Sequence, residues 1–277
     1  MMLLSSCLVG LVFGSFLNVV VYRLKARRGM IFGGSFCLQC ETKLAKRDLI
    51  PLLSFALLKG KCRHCGGKIS RQYPIVEALS GFLWAGSFYK IYGYGLTAYN
   101  GAPAGEKFAV FDIGSILNFQ FVSFLYYVFI LSAFLVIAVY DFKWRIIPDK
   151  IVFPAAAAAI FYNIFESLKF ADFYIFLSSL LTAVVIFLFF FILFYFSDGK
   201  AMGLGDAKLA FLIGLFLSPL AALFAVALAF VVGAVFGIIM MRFGGKTLKS
   251  KIAFGPFLVF GAAVAFFFPN LLNLFIN

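Results

Sequence analysis

Seven apolar runs divide this chain, and they constrain its fold more than any other feature. They cover about residues 3–22, 75–92, 115–140, 151–164, 173–196, 207–241 and 253–276. A helix needs about 20 apolar residues to cross about 30 Å of hydrocarbon, and most of these runs are of that order. Of the 277 residues 64% are hydrophobic and 13% are charged. A soluble domain is about 45–50% apolar and about 25% charged. A water-soluble globule could not hide this much apolar surface. A soluble enzyme, a disordered chain, a coiled coil and a disulfide scaffold are therefore excluded, and an all-α polytopic membrane protein is expected.

The run 207–241 poses a choice. As one helix it would be about 52 Å long, too long for a bilayer. Ser218-Pro219 can divide it into two. The charges favour division, because cytoplasmic loops of membrane proteins collect Lys and Arg. With two helices there are eight spans and both termini outside. Twenty-one of the 24 Lys and Arg then fall in the cytoplasmic segments 23–74, 141–150, 197–208 and 242–252. Only Lys90, Lys107 and Lys169 fall outside. The first run has no basic residues before it and several after it, so it reads as a retained helix and not a cleaved signal. The net charge of +13 is explained by topology and calls for no nucleic acid. The expected organisation is a first transmembrane helix over 1–22, a cytoplasmic insert over 23–74, and a transmembrane bundle over 75–277. No internal repeat is evident.

The insert holds Cys37-Leu38-Gln39-Cys40 and Cys62-Arg63-His64-Cys65, separated by 21 residues. Each CxxC turn offers two thiolates, and two such turns complete a tetrahedral zinc site. Four thiolates leave no open position, so the metal is expected to be structural. Disulfides do not suit a cytoplasmic segment. A redox pair would accompany a βαβ pattern, which is missing. Cys7 reads as packing within the first helix, and His64 as an exposed knuckle residue.

Carboxylates at membrane depth are expensive and mark functional sites. Asp141 closes the third apolar run. Asp206 opens a later one, within Gly203-Leu204-Gly205-Asp206. Two carboxylates brought together at the membrane boundary can share a proton, one activating water and the other polarising a carbonyl. The glycines allow close backbone approach beside Asp206. Asp149 is a rival partner, and Asp198 sits in a Ser-Asp-Gly turn. Alternatively, Asp141 pairs with Lys143 or Arg145 and Asp206 caps its helix. Glu77, just inside the second span, is also costly and needs a partner or a ligand.

The motifs in their order resemble the bacterial prepilin peptidases, or type IV leader peptidases, nearly end to end. The resemblance rests on Gly14-Ser15-Phe16-Leu17-Asn18, the paired CxxC motifs, Asp48-Leu49-Ile50-Pro51, Leu58-Lys59-Gly60-Lys61 and Tyr73-Pro74-Ile75-Val76-Glu77. It continues in Asp141, Ile147-Pro148-Asp149 and Gly203-Leu204-Gly205-Asp206-Ala207-Lys208. It implies an aspartic endopeptidase of the bacterial inner membrane, with its active site at the cytoplasmic face. Asp141 and Asp206 would be the catalytic pair. Its substrates would be type IV prepilins or type II secretion pseudopilins, cleaved after Gly. Relatives with the cysteine insert also N-methylate the new terminus with S-adenosylmethionine, and Gly60, Lys61 and Glu77 match family motifs near the insert. Two departures are Leu38, where Pro is common, and a long outer loop over 93–114.

Three other readings compete. A peptidase of the same Gly-x-Gly-Asp mechanism could serve another client. A proton-coupled transporter could use the same aspartates, but such folds show paired broken spans, and only one is evident here. A zinc module for nucleic acid is weaker still, because the insert has few aromatics for stacking.

Overall fold

The computed structural model describes residues 1–26, 34–93, 119–199, 202–243 and 252–271. Among these, nine α-helices occur. They are α1 (Met2–Lys25), α2 (Leu53–Leu57), α3 (Gln72–Phe88), α4 (Phe119–Trp144), α5 (Asp149–Phe170), α6 (Phe173–Phe196), α7 (Leu204–Phe216), α8 (Pro219–Phe243) and α9 (Gly255–Phe267). All but the short α2 fall on the eight expected spans. Five of them, α1, α4, α5, α6 and α8, are long and apolar enough to cross a membrane. The break in the run 207–241 is where proline chemistry places it. α7 stops at Phe216 and α8 starts at Pro219, whose missing N–H is no loss at a first helical position. α7 and α9 have 13 residues each, about 20 Å, which is short of the hydrocarbon thickness. The outer loop over 93–114 lies outside the described residues except for Gly93.

Two compact units divide the chain, Met1–Val128 and Phe129–Asn277. In compactness α3 goes with α1, and the division falls within α4. In the first unit α1 and α3 run antiparallel, as their contacts show. Ser6 Oγ donates to the Trp84 carbonyl at 3.1 Å, and Asn18 Nδ2 to the Tyr73 carbonyl at 3.3 Å. Gln72 Nε2 returns a hydrogen bond to Asn18 Oδ1 at 3.0 Å. Asn18 is fully buried, so these bonds satisfy an amide that would otherwise be expensive. Close approach is possible because Gly14 has no side chain. A Cβ there would lie 2.7 Å from the Glu77 backbone. Small residues at helix contacts are how apolar helices pack when lipid removes the hydrophobic drive. At the far end of the pair Trp84, Phe88, Tyr92 and Phe124 form an aromatic cluster.

In the second unit α6 packs on α7, α8 on α9, and α5 on both α6 and α7. Buried Asn163 of α5 donates to the Leu215 carbonyl at 2.9 Å and to the Ala159 carbonyl at 2.8 Å. The first of these satisfies an orphan carbonyl in the last turn of α7. α6 starts at Asp172, whose Oδ1 accepts from the Tyr174 N–H at 2.9 Å. That is the side-chain cap expected of Asp at this position.

Candidate active site and metal centre

Asp141 lies in the last turn of α4 and is 4% exposed. Its Oδ2 accepts from the Gly255 N–H at 3.0 Å. That amide is one of the orphan donors of the first turn of α9, so a helix N-terminus is aimed at the carboxylate. Asp206 is the third residue of α7. Its Oδ2 accepts from the Gly203 N–H at 3.1 Å, so the side chain folds back over its own helix start. The two carboxyl groups are electrostatic neighbours. Three helix ends therefore meet at this point, and two of them, those of α7 and α9, present backbone N–H groups.

The sequence signals point to both aspartates and the Gly-x-Gly-Asp turn, but not to Gly255. It lies 114 residues from Asp141, and its only local signal is Pro256 at the start of a helix. A Cβ on Gly255 would fall 2.7 Å from Asp141 Oδ2, so no other residue fits without displacing the carboxylate. Gly205 packs on Ile147, where a Cβ would meet the Ile147 Cβ at 3.0 Å.

The rival Asp149 is engaged elsewhere. Its Oδ1 lies 2.8 Å from Lys208 Nζ, and its side chain is 52% exposed. This pair ties the first turn of α5 to the second turn of α7, next to Asp206. Asp198 sits in the turn after α6 with φ 49°.

The four candidate metal ligands lie in the first unit. The Sγ atoms of Cys37, Cys40, Cys62 and Cys65 are all within 4.8 Å of one another, and Cys37 and Cys65 Sγ are 4.0 Å apart. Tetrahedral Zn–S bonds of about 2.3 Å put sulfurs about 3.8 Å apart, so the four thiols fit zinc. Each pair sits in the same turn. Cys37 N–H donates to the Thr42 carbonyl and Cys62 N–H to the Gly67 carbonyl. Bridges join Phe36 to Lys43 and Lys61 to Lys68. The residue after each second cysteine has positive φ, 56° at Glu41 and 69° at Gly66. The knuckles are thus two copies of an eight-residue unit, a repeat too short for composition or hydropathy to register. His64 is exposed and is not among the four clustered ligands. Cys7 lies on α1 facing α3, where its carbonyl abuts Gly81.

Glu77 is 6% exposed, and its Oε2 accepts from the Leu52 N–H at 2.9 Å. Leu52 itself has φ 60°, a conformation unusual for a bulky residue. Glu77 also borders a cavity of about 280 Å³ beside the knuckles. Gly60 and Lys61 do not line it. Gly60, with φ 69°, turns the chain into the second knuckle, and Lys61 makes the bridge to Lys68.

Comparison with known proteins decides the family. The Bacterial Peptidase A24 N-terminal domain matches residues 8–91, and the Type IV leader peptidase family matches residues 128–238. The chain belongs to the type IV leader peptidase family. The two matches fall one on each compact unit. Similar proteins named Prepilin leader peptidase/N-methyltransferase occur in Burkholderia pseudomallei (strain 1026b), Dickeya chrysanthemi and Bacillus subtilis (strain 168). Each is 28% identical to this chain. The matches cover 97%, 95% and 94% of this chain and 86%, 91% and 92% of those relatives. No solved structure matches the chain.

Proposed function

We propose that this chain is an aspartic endopeptidase of the bacterial inner membrane, acting at the cytoplasmic face. It cleaves the leader of type IV prepilins or type II secretion pseudopilins after Gly and N-methylates the new terminus. The observation that carries this reading is the pairing of Asp141 and Asp206 at neighbouring helix ends, each held by one backbone N–H. Two adjacent carboxyls hold one proton between them. The ionised partner takes a proton from water, whose oxygen attacks the scissile carbonyl carbon. The protonated partner gives its proton to the carbonyl oxygen. The tetrahedral intermediate then collapses and the C–N bond breaks; the leaving nitrogen takes the proton that the first partner drew from water, and the second partner recovers its own from the collapsing diol. The exposed Gly203 lies beside Asp206, where an extended peptide can approach the backbone.

The substrate class follows from the relatives' names and from the place of the dyad. A prepilin has a basic leader followed by an apolar helix. With the helix in the bilayer and the leader in the cytoplasm, the junction reaches the ends of α4 and α7. Zinc, held by Cys37, Cys40, Cys62 and Cys65, serves as a structural ion. S-adenosylmethionine supplies a methyl group carried on a sulfonium.

The test uses purified full-length protein in detergent, a prepilin with a Gly–Phe junction and isotope-labelled S-adenosylmethionine. Mass spectrometry follows leader loss and methyl addition. Both are expected. Asp141→Asn and Asp206→Asn should each lower the cleavage rate by about 10³-fold or more, in line with loss of acid–base catalysis. Zinc content should not change. Full cleavage by either variant overturns the dyad, and cleavage without methylation overturns the second activity.

A further inference from the structure

Asp149 and Lys208 stand beside the dyad without belonging to it, and the segment that holds Asp149 links the dyad's two helices. That segment leaves from Asp141 itself. The Arg145 N–H donates to the Asp141 carbonyl at 2.7 Å, and Arg145 turns the chain out of α4 with φ 54°. α5 then begins at Asp149, directly after Pro148. The proline ring fixes its own φ and keeps the preceding Ile147 extended. Ile147 and Asp149 are therefore two points on one stiff piece of chain, and both meet α7. Buried Ile147 lies against Gly205, and Asp149 Oδ1 is 2.8 Å from Lys208 Nζ. Gly205 and Lys208 are three residues apart and share a face of α7. Asp206 stands between them in the chain.

The ion pair has a second anchor. Lys208 Nζ lies 5.3 Å from the centre of the Phe153 ring, one turn further along α5, within the roughly 6 Å reach of a cation–π contact. The ammonium is seated between a carboxylate and a ring on the same helix. The two charged side chains are 26% and 52% exposed, and a pair so open to water adds little to stability. What it can supply is direction. At the far end of α7 Asn163 donates to the Leu215 carbonyl at 2.9 Å, so α5 fastens α7 at both ends. We propose that Asp149 and Lys208 are positioning residues for peptide cleavage, a clasp that sets where Asp206 stands relative to Asp141. The inference rests on the catalytic pair of the function proposed above. All of its parts lie within the second unit. Displacing a reacting group by about 1 Å can cost about 10²-fold in rate, so a weak bond at this place has a large effect on turnover.

Cleavage of a prepilin by the full-length chain in detergent tests this, with kcat and KM measured separately and below the unfolding midpoint of every variant. Asp149→Asn and Lys208→Met should each lower kcat at least about tenfold and leave KM within about twofold, because reacting geometry is lost and substrate binding is not. The double variant should be within about twofold of either single one, since an open clasp has nothing more to lose. Lys208→Arg keeps the charge and should recover kcat to within about threefold of the unmutated chain. Unchanged kcat in both single variants overturns the clasp and leaves the aspartic peptidase standing. Additive losses in the double variant overturn it as well, because the two residues then act separately. A raised KM with kcat kept places Asp149 against the basic leader and overturns the positioning role. A loss of kcat that accompanies a lowered unfolding midpoint, and that Lys208→Arg does not recover, reduces the pair to a structural tie and overturns it too. No cleavage of several prepilins by the unmutated chain overturns the peptidase reading and the clasp with it.

Discussion

Gly255 and Asp141 are 114 residues apart in the chain and 3.0 Å apart in space. The amide of Gly255 is the one hydrogen-bond donor placed on the Asp141 carboxylate among the described residues, and the missing side chain is what lets it approach. Gly255→Ala would set a methyl group 2.7 Å from Asp141 Oδ2. One of the two must move, and crowding of this kind typically costs about 1–3 kcal/mol. The expected outcome is a cleavage rate at least tenfold lower with unchanged zinc content, read in the prepilin assay. Unaltered cleavage would show that the amide does not position the carboxylate. The contrast with Asp206 shows what a sequence can reveal. Asp206 and its hydrogen-bonding Gly203 are three residues apart, so the turn is visible as a motif. Physical reading alone left Asp141 and Asp149 in competition, because both lie at the edge of an apolar run. Only the fold shows that Asp149 faces Lys208 while Asp141 is buried under the α9 terminus.

At the scale of elements, hydropathy located every described helix except α2, because lipid-facing helices must be apolar over nearly their whole length. It missed extent where the apolar signal fades. α5 runs over Asp149–Phe170 and not 151–164, since its last turns carry Glu166 and Lys169 and stop only at Ala171, with φ 51°. Hydropathy also could not show that α1 and α3 touch through Gly14. Gly14→Leu would force a side chain into the Glu77 backbone and should lower the unfolding midpoint in detergent by several degrees, a shift that thermal scanning would read. An unchanged midpoint would mean that the pair can separate freely. The knuckles carry a pH prediction of their own. Hydrogen bonds from Thr42 hold the Cys40 thiol down to about 6. At Cys65 the Gly67 amide favours the thiolate, but the neighbouring Cys40 and burial push it up to about 11. Zinc binds thiolates, so protons compete with it wherever the pH lies below a thiol's own value. Cys65 gives up a proton to the metal throughout the neutral range, and Cys40 joins it only in acid. Affinity should therefore fall as pH falls, more steeply below about 6. Zinc release to a chromogenic chelator between about pH 8 and pH 5 would show this. A profile that falls with pH but does not steepen below about 6 would remove Cys40 from the ligand set.

Across the whole molecule the candidate sites are divided as the chain is. Cys37, Cys40, Cys62, Cys65 and the cavity with Asp48 and Glu77 belong to the first compact unit, whereas Asp141, Asp206, Gly203 and Gly255 belong to the second. Charge distribution and apolar runs made the membrane architecture legible, and the paired CxxC motifs made the insert legible. Neither could show this partition, because the boundary falls inside the continuous helix α4, where no linker composition marks it. If the two activities depend on different units, removing the metal should not affect them equally. Without zinc the four thiols lose what joins the knuckles, and Arg63, between two of them, loses its fixed place and with it the ion pair to Asp48. No bond to Asp141 or Asp206 among those seen runs through the insert. Treating the protein with a zinc chelator in detergent should therefore lower methyl transfer far more than leader cleavage. The ratio of methylated to unmethylated mature pilin should fall at least tenfold, and adding zinc back should restore it. A parallel loss of both activities would mean that the dyad depends on the insert, and the two units would then have to be regarded as one catalytic body.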